Sequence, residues 1–201
     1  MRFFTLDVYN HWYEHFDDVL LDQVFDRYTA HLESMNGKLP DNVLALAKLS
    51  GVDDGLVIRV QHDRGAQVLC LTMRCGDLLK GYYDLTLMYE GATITPEHDQ
   101  VLARVARTTK SHRTFTSDVA YHEVDSADDG RIEHRLLFHS GVWFAIQCDL
   151  LRWDRISRPD RLLPPCPDRY PGGPPATAPK GSQEHADKRP SRWSTFRRCP
   201  Y

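Results

Sequence analysis

At residue 56 the chain changes the spacing of its apolar residues, and that switch restricts the available folds more than any other feature. Upstream, apolar side chains recur at a helical period. Downstream they alternate with polar ones. Along residues 8–35, at 100° per residue, Val8, Tyr9, Trp12, Tyr13, Phe16, Val19, Leu20, Val24, Phe25, Tyr28, Leu32 and Met35 fall in one arc of about 140°. This predicts one amphipathic helix, or two collinear ones broken near Asp17, with the whole stripe buried. Asn36-Gly37 supplies a left-handed stop. A second helix starts at Pro40-Asp41, where proline suits the first turn and the acid suits its positive end, and "NVLALAKL" forms its apolar body.

From Leu56 onward the period is two. Leu56, Ile58 and Val60, then Leu69, Leu71 and Met73, then Tyr83, Leu85, Leu87 and Tyr89 each alternate with the other face of a strand. Thr95-Pro96 opens a short helix, and "DVAYHEV" reads as a strand. "RIEHRLLFHSGVWFAIQCD", residues 131–149, is a hairpin with two possible registers. A two-residue turn places Leu137 and Phe144 on the charged face. A three-residue turn, His139-Ser140-Gly141, pairs Phe138 with Val142. It then gathers Ile132, His134, Leu136, Phe138, Val142, Phe144, Ile146 and Cys148 on one face and sets Arg131 opposite Asp149. A one-residue slip exchanges every side chain between faces, so the second register is expected. The predicted class is α+β: N-terminal helices packed on antiparallel sheet, a meander plus a C-terminal hairpin, with at least six strands.

Composition divides the chain. Ten of the twelve prolines lie in residues 158–201, which carry nine Lys/Arg against four Asp/Glu, or +5. The whole chain is −3, so residues 1–157 hold −8. One domain over 1–157 (helical over 1–50, mainly sheet over 56–151) and a disordered basic Pro/Gly-rich tail over 158–201 are expected, because such a segment buries too little apolar area to offset ordering. Five cysteines without a C-x-x-C pair suit a reducing cytoplasm. No secretory leader is visible at the N-terminus, and no run approaches the length of a membrane span. The acidic body disfavours nucleic acid and favours a basic protein partner. Nucleic-acid contacts are expected to be weak and confined to the tail.

Several residues suggest chemistry. "HWYEH", residues 11–15, fits H-x-x-E-H, in which two histidines hold zinc and the glutamate is the base. That reading makes His11 and His15 ligands, Glu14 catalytic, and Glu90, 75 residues past His15, the third ligand. The simpler reading is a solvated helix edge, with Glu14 pointing away from the stripe. Asp53 and Asp54 in "VDDG", with His122 and Glu123, form a second candidate cluster for a divalent metal and a metal-dependent hydrolase. Adjacent aspartates also cap turns. The hairpin register buries His134, which then needs a hydrogen-bond partner, either as a base or ligand with its neighbours or as a satisfied core histidine.

Three stretches, "MRFFTLDVYNHWYEHF", "LPDNVLALAKLSGVDDGLVIRV" and "EHRLLFHSGVWFAIQCDLLRW", resemble a bacterial family of unknown function. Its marks are an M-x-x-F-T start and a C-terminal hairpin of the form E-H-R-x-L-F-x-x-G. The resemblance covers roughly residues 1–155. It implies a cytosolic, helix-then-sheet protein of the kind found among toxin–immunity loci, and His134 matches the hairpin histidine. Where that family's helix-to-strand junction reads L-H-D, this chain has Val52-Asp53-Asp54. The resemblance carries over no catalytic residue. The expected function is a non-catalytic binding module of immunity-like type; the alternative is the metal-dependent hydrolase.

Overall fold

A computed structural model describes residues 1–49, 51–77, 81–111 and 117–158. The basic segment from 159 on, with Cys166 and Cys199, lies outside the described residues. The order of elements is α1 (Leu6–His15), α2 (Asp18–Ser34), α3 (Asp41–Ala47), β1 (Leu56–Asp63), β2 (Val68–Asp77), β3 (Gly81–Glu90), α4 (Pro96–Ser111), β4 (Val119–Ser126), β5 (Ile132–Phe138), β6 (Trp143–Cys148) and β7 (Leu150–Arg158). The α+β class and the antiparallel pairing are as the apolar periods require.

The strands form two sheets. One has the order β1-β2-β3-β7 and the other β4-β5-β6, with every pairing antiparallel. β7 is a seventh strand that the alternation did not reveal. It follows β6 after one residue and runs along β3 with Leu151 opposite Tyr89 and Arg158 opposite Tyr82. Asp149, between β6 and β7, is where the chain crosses from sheet to sheet. Bridges at Leu56–Asp118 and Thr93–Gln147 join the sheets elsewhere. In β1 the pairing shifts between Val57 and Arg59, leaving Ile58 as the extra residue, so the alternation of Leu56, Ile58 and Val60 fails there; Leu56 and Val57 are both buried.

The hairpin takes the three-residue register. Phe138 N–H donates to Val142 O, His134 faces Ile146, and Leu136 faces Phe144. Gly141 holds φ +80°, the left-handed position such a turn needs. Arg131 Nε reaches Asp149 at 2.9 Å across the strand ends. Leu69, Leu71, Met73, Leu85, Leu87, Leu136, Phe138 and Phe144 are fully buried and make the centre of the core. α2 adds Leu21, Val24, Tyr28 and Leu32, and α4 adds Leu102 and Val105. Thr95 caps α4 by accepting from His98 N–H.

The N-terminal stripe departs from expectation. α1 ends at His15, and Phe16 takes φ 51°, ψ 41°, the left-handed region, with its N–H bonded to Trp12 O. Asp17 then caps α2 by accepting from Leu20 N–H at 3.0 Å. The break shifts the helical phase. Tyr9, Val24, Tyr28, Leu32 and Met35 are buried as the wheel required, but Tyr13, Phe16 and Val19 are exposed. Leu21, absent from the arc, is buried instead.

Candidate functional site

The candidate clusters come apart in three directions. His11 and His15 stay together, with ring centroids 4.5 Å apart, but both are exposed, and His11 Nε2 lies 3.5 Å from the Asp17 carboxylate. Glu14 is exposed on the same helix. Glu90, at the end of β3, pairs with Arg152 on β7. Among the described residues no group of three or more His, Cys, Asp or Glu is placed to hold a metal ion, so His11, His15 and Glu90 do not gather around one point.

The second cluster is split by strand alternation. On β4, His122 and Glu123 point to opposite faces of the sheet, and both are buried. Glu123 binds the start of the chain: its Oε1 accepts from Phe3 and Phe4 N–H at 2.7 and 2.6 Å, and its Oε2 from Arg2 N–H at 2.8 Å. Arg135 lies against Glu123, Asp125 and Glu133, and Asp125 also bonds His31 at 2.9 Å and Arg2 at 3.1 Å. This buried network docks Phe4 onto the sheet, where its ring stacks on Tyr121 at 4.8 Å. Its carboxylates are consumed by structural partners.

The inward side forms a chain of three. Tyr89 Oη lies 2.7 Å from His134 Nδ1, and His134 Nε2 lies 3.2 Å from His122 Nδ1. Burial drives the Tyr89 pKa well above 10, so the phenol keeps its proton and donates. Burial lowers His122 to about 4, and burial plus the adjacent His122 holds His134 well below its ordinary value, so both rings are neutral. One proton arrangement fits both contacts: Tyr89 donates to His134 Nδ1, and His134 Nε2–H donates to His122 Nδ1. His134 is therefore a satisfied core histidine whose partners are a tyrosine and a histidine, rather than a carbonyl or carboxylate.

Asp53 and Asp54 diverge as well. Asp53 Oδ1 is sealed from solvent without a hydrogen-bond partner. Burial, reinforced by Asp54, pushes its pKa up to about 8, against an opposing bond from the His122 backbone N–H. Asp54 turns to the surface at φ 66° and bonds His139 Nε2 at 3.1 Å; His139 Nδ1 in turn meets Tyr9 Oη at 3.1 Å. This relay joins the helix-to-sheet junction, the hairpin turn and α1. It fixes the Tyr9 ring, on which Tyr13 stacks at 6.1 Å.

What that relay supports is the feature the sequence reading placed inside: an exposed apolar corner between α1 and α2. Of the five large hydrophobic residues exposed among the described residues, four are Leu6, Tyr13, Phe16 and Val19, with Phe16 at 70% and Val19 at 67%. Leu6, Tyr9 and Tyr13 succeed one another along one face of α1. Trp12 meets Phe16 edge-on at 5.8 Å and donates its indole N–H to Asp18. Residues 1–26 carry six acids, Asp7, Glu14, Asp17, Asp18, Asp22 and Asp26, against one arginine, Arg2. Five of the six are exposed. The signal that could have found the corner is Asp17, an N-capping residue in the middle of an apolar stripe.

Comparison of the chain with protein-family models, with curated proteins and with solved structures finds no match. No helix among the described residues is long and apolar enough to cross a membrane.

Proposed function

We propose that this chain is a non-catalytic binding module that captures a basic polypeptide bearing aromatic or aliphatic side chains on its α1–α2 corner. The supporting observation is Phe16. A large apolar residue in the left-handed region costs about 1–2 kcal/mol, and burial gives little of it back at 70% exposure. Strain of this kind clusters at sites where it serves a ligand. The acids around Phe16 set the sign of that ligand. They steer a basic partner to the corner, and the aromatic surface supplies the desolvated contact once it arrives.

In the setting implied by the resemblance, the module is a bacterial cytoplasmic protein of immunity-like kind and its partner a basic protein. The metal-dependent hydrolase reading has less support: His11, Glu14 and His15 lie on an open helix edge, Glu90 pairs with Arg152, Asp54 turns to the surface, and Glu123 holds the N-terminal segment away from Asp53 and His122.

The test is calorimetric titration of the protein with a synthetic peptide of alternating arginine and tryptophan, with a glutamate–tryptophan peptide as control. The basic peptide binds and the acidic one does not. Phe16→Ala weakens binding at least roughly tenfold, equivalent to about 1.4 kcal/mol. Raising salt from about 0.1 M to about 1 M shortens the Debye length from about 10 Å to about 3 Å and weakens it further. Equal binding of both peptides, or no response to Phe16→Ala, removes the proposal.

A further inference from the structure

The sheet of β1, β2, β3 and β7 turns one face to the core, through Leu71, Met73, Leu85, Leu87 and Leu151. The buried side chains of the helices, such as Tyr9 of α1, Val24 of α2, Val43 of α3 and Leu102 of α4, join that same core. Among the described residues no helix therefore packs its buried side on the opposite face. There Cys70, Thr72, Thr86 and Met88 are half-buried, and Arg59, Gln61, Arg152 and Asp154 are exposed. Ile156, the fifth of the exposed large hydrophobic residues at 56%, stands on this face too.

The strand register arranges this open face in rows, because residues directly opposite on neighbouring strands share a face. From β1 to β7 one row reads Arg59, Thr72, Thr86, Asp154, and the next reads Gln61, Cys70, Met88, Arg152. The first row is positive at one edge and negative at the other, with two threonines between. Arg59 and Asp154 make no ion pair among the described residues, whereas Arg152 already meets Glu90. Charge on the face is nearly balanced, with Arg59 and Arg152 against Asp63, Glu90 and Asp154. Such a pattern is complementary to itself. A half-turn about an axis along the strands, between the stacked faces and midway between β2 and β3, lays β1 of one copy over β7 of the other. Arg59 of each copy then faces Asp154 of the other, Thr72 faces Thr86, Cys70 faces Met88, and Ile156 comes over Leu56.

We infer that this open face pairs the chain with a second copy of itself, sheet on sheet, about that two-fold axis. Stacked sheets lie about 10 Å apart, a gap that an arginine and an aspartate reach across together. Four strands about 4.8 Å apart, each with eight residues at about 3.4 Å as in β1, present about 500 Å² of face. Two such faces bring about 1,000 Å² together, the lower bound for specific pairing, so the dimer is weak, with a Kd of about 10–100 μM. No residue of the α1–α2 corner takes part.

Sedimentation equilibrium of the full chain from about 5 μM to about 500 μM is expected to show reversible dimerisation. Arg59→Asp alone sets like charges against each other in both edge contacts, as does Asp154→Arg alone, and each weakens self-association at least roughly tenfold. An equimolar mixture of the two variants restores it, because each contact again joins opposite charges. Thr86→Lys, at the centre of the face, weakens self-association to a similar degree. Circular dichroism checks that each variant keeps its fold. A chain that stays monomeric throughout overturns the pairing. So does association that survives both single reversals or Thr86→Lys, or a mixture that remains monomeric. Association lost with Phe16→Ala would move the contact to the corner and overturn it as well.

Discussion

Two places in this molecule reverse the ordinary distribution of polar and apolar groups. Between the strands, Tyr89, His134, His122 and Asp53 put titratable groups in the interior. At the α1–α2 corner, Tyr13, Phe16 and Val19 put apolar groups in water. The inner group is nearly self-sufficient: each ring has a partner, and only Asp53 Oδ1 lacks one. The outer group stands largely in water, although Tyr13 stacks on Tyr9 and Phe16 meets Trp12, and Phe16 holds a strained backbone. Buried polarity with satisfied bonds is explained by folding. Exposed apolarity on a strained backbone is not explained by folding, and it is the surface that the proposed ligand would cover. On that ground we propose the corner, rather than the histidines of the core or of "HWYEH", as the binding face.

Substitutions separate the two regions, and the largest effect is expected in the scaffold. Glu123→Ala strands three backbone N–H groups and leaves Arg135 with one fewer counter-charge. Loss of one partner from a buried ionic network costs about 3–5 kcal/mol. Chemical denaturation is expected to show a loss of that size. A change below about 1 kcal/mol would show that the N-terminal dock is dispensable.

The next effect is a pH dependence confined to the interior. His122 and His134 have depressed pKa values, so the unfolded chain binds protons that the native one does not once pH drops below 6.5. Stability falls there, and the loss attributable to His122 is complete near pH 4. Asp53 has the opposite sign. Its carboxyl is raised from 3.8 to about 8, so the native state holds a proton that the unfolded state has lost across that window, and its contribution falls as pH rises. Asp53→Asn removes that decline. The stability of the variant relative to the native sequence is therefore expected to increase steadily from about pH 4 to about pH 8 and then level off, measured by denaturation across the range. A flat difference would mean that Asp53 ionises freely in the folded protein. Peptide binding at the corner should respond little to this substitution.

The same division explains what the sequence could and could not reveal. The hairpin register over residues 131–149 was legible because a slip of one residue would set Leu137 and Phe144 on the face carrying Glu133 and Arg135, and Arg131 opposite Asp149 followed from it. The burial of His134 followed too, though its partner on β3 did not, because Tyr89 is 45 residues away and no local pattern links them. β7 was hidden for a similar reason: its charged residues give little alternation, and its place is set by pairing with β3. The corner was misread because a helical wheel assumes constant phase. The residue that breaks the phase is a phenylalanine rather than a glycine, so the usual mark of a left-handed turn was missing. Asp53 with Asp54, and His122 with Glu123, are adjacent pairs, and adjacency on a strand or tight turn sends side chains to opposite sides; only Asp53 and His122 come together, through the His122 backbone N–H.

The smallest expected change in stability accompanies the most informative change in function. Phe16→Gly relieves the left-handed backbone and removes a side chain that buries little, so stability should stay level or rise by about 1 kcal/mol. The decisive measurement is the affinity of the arginine–tryptophan peptide for this variant beside its melting temperature. Binding weakened at least roughly tenfold, with an equal or higher melting temperature, is the expected result. Undiminished binding, or a melting temperature that drops by several degrees, would contradict it and return Phe16 to the scaffold.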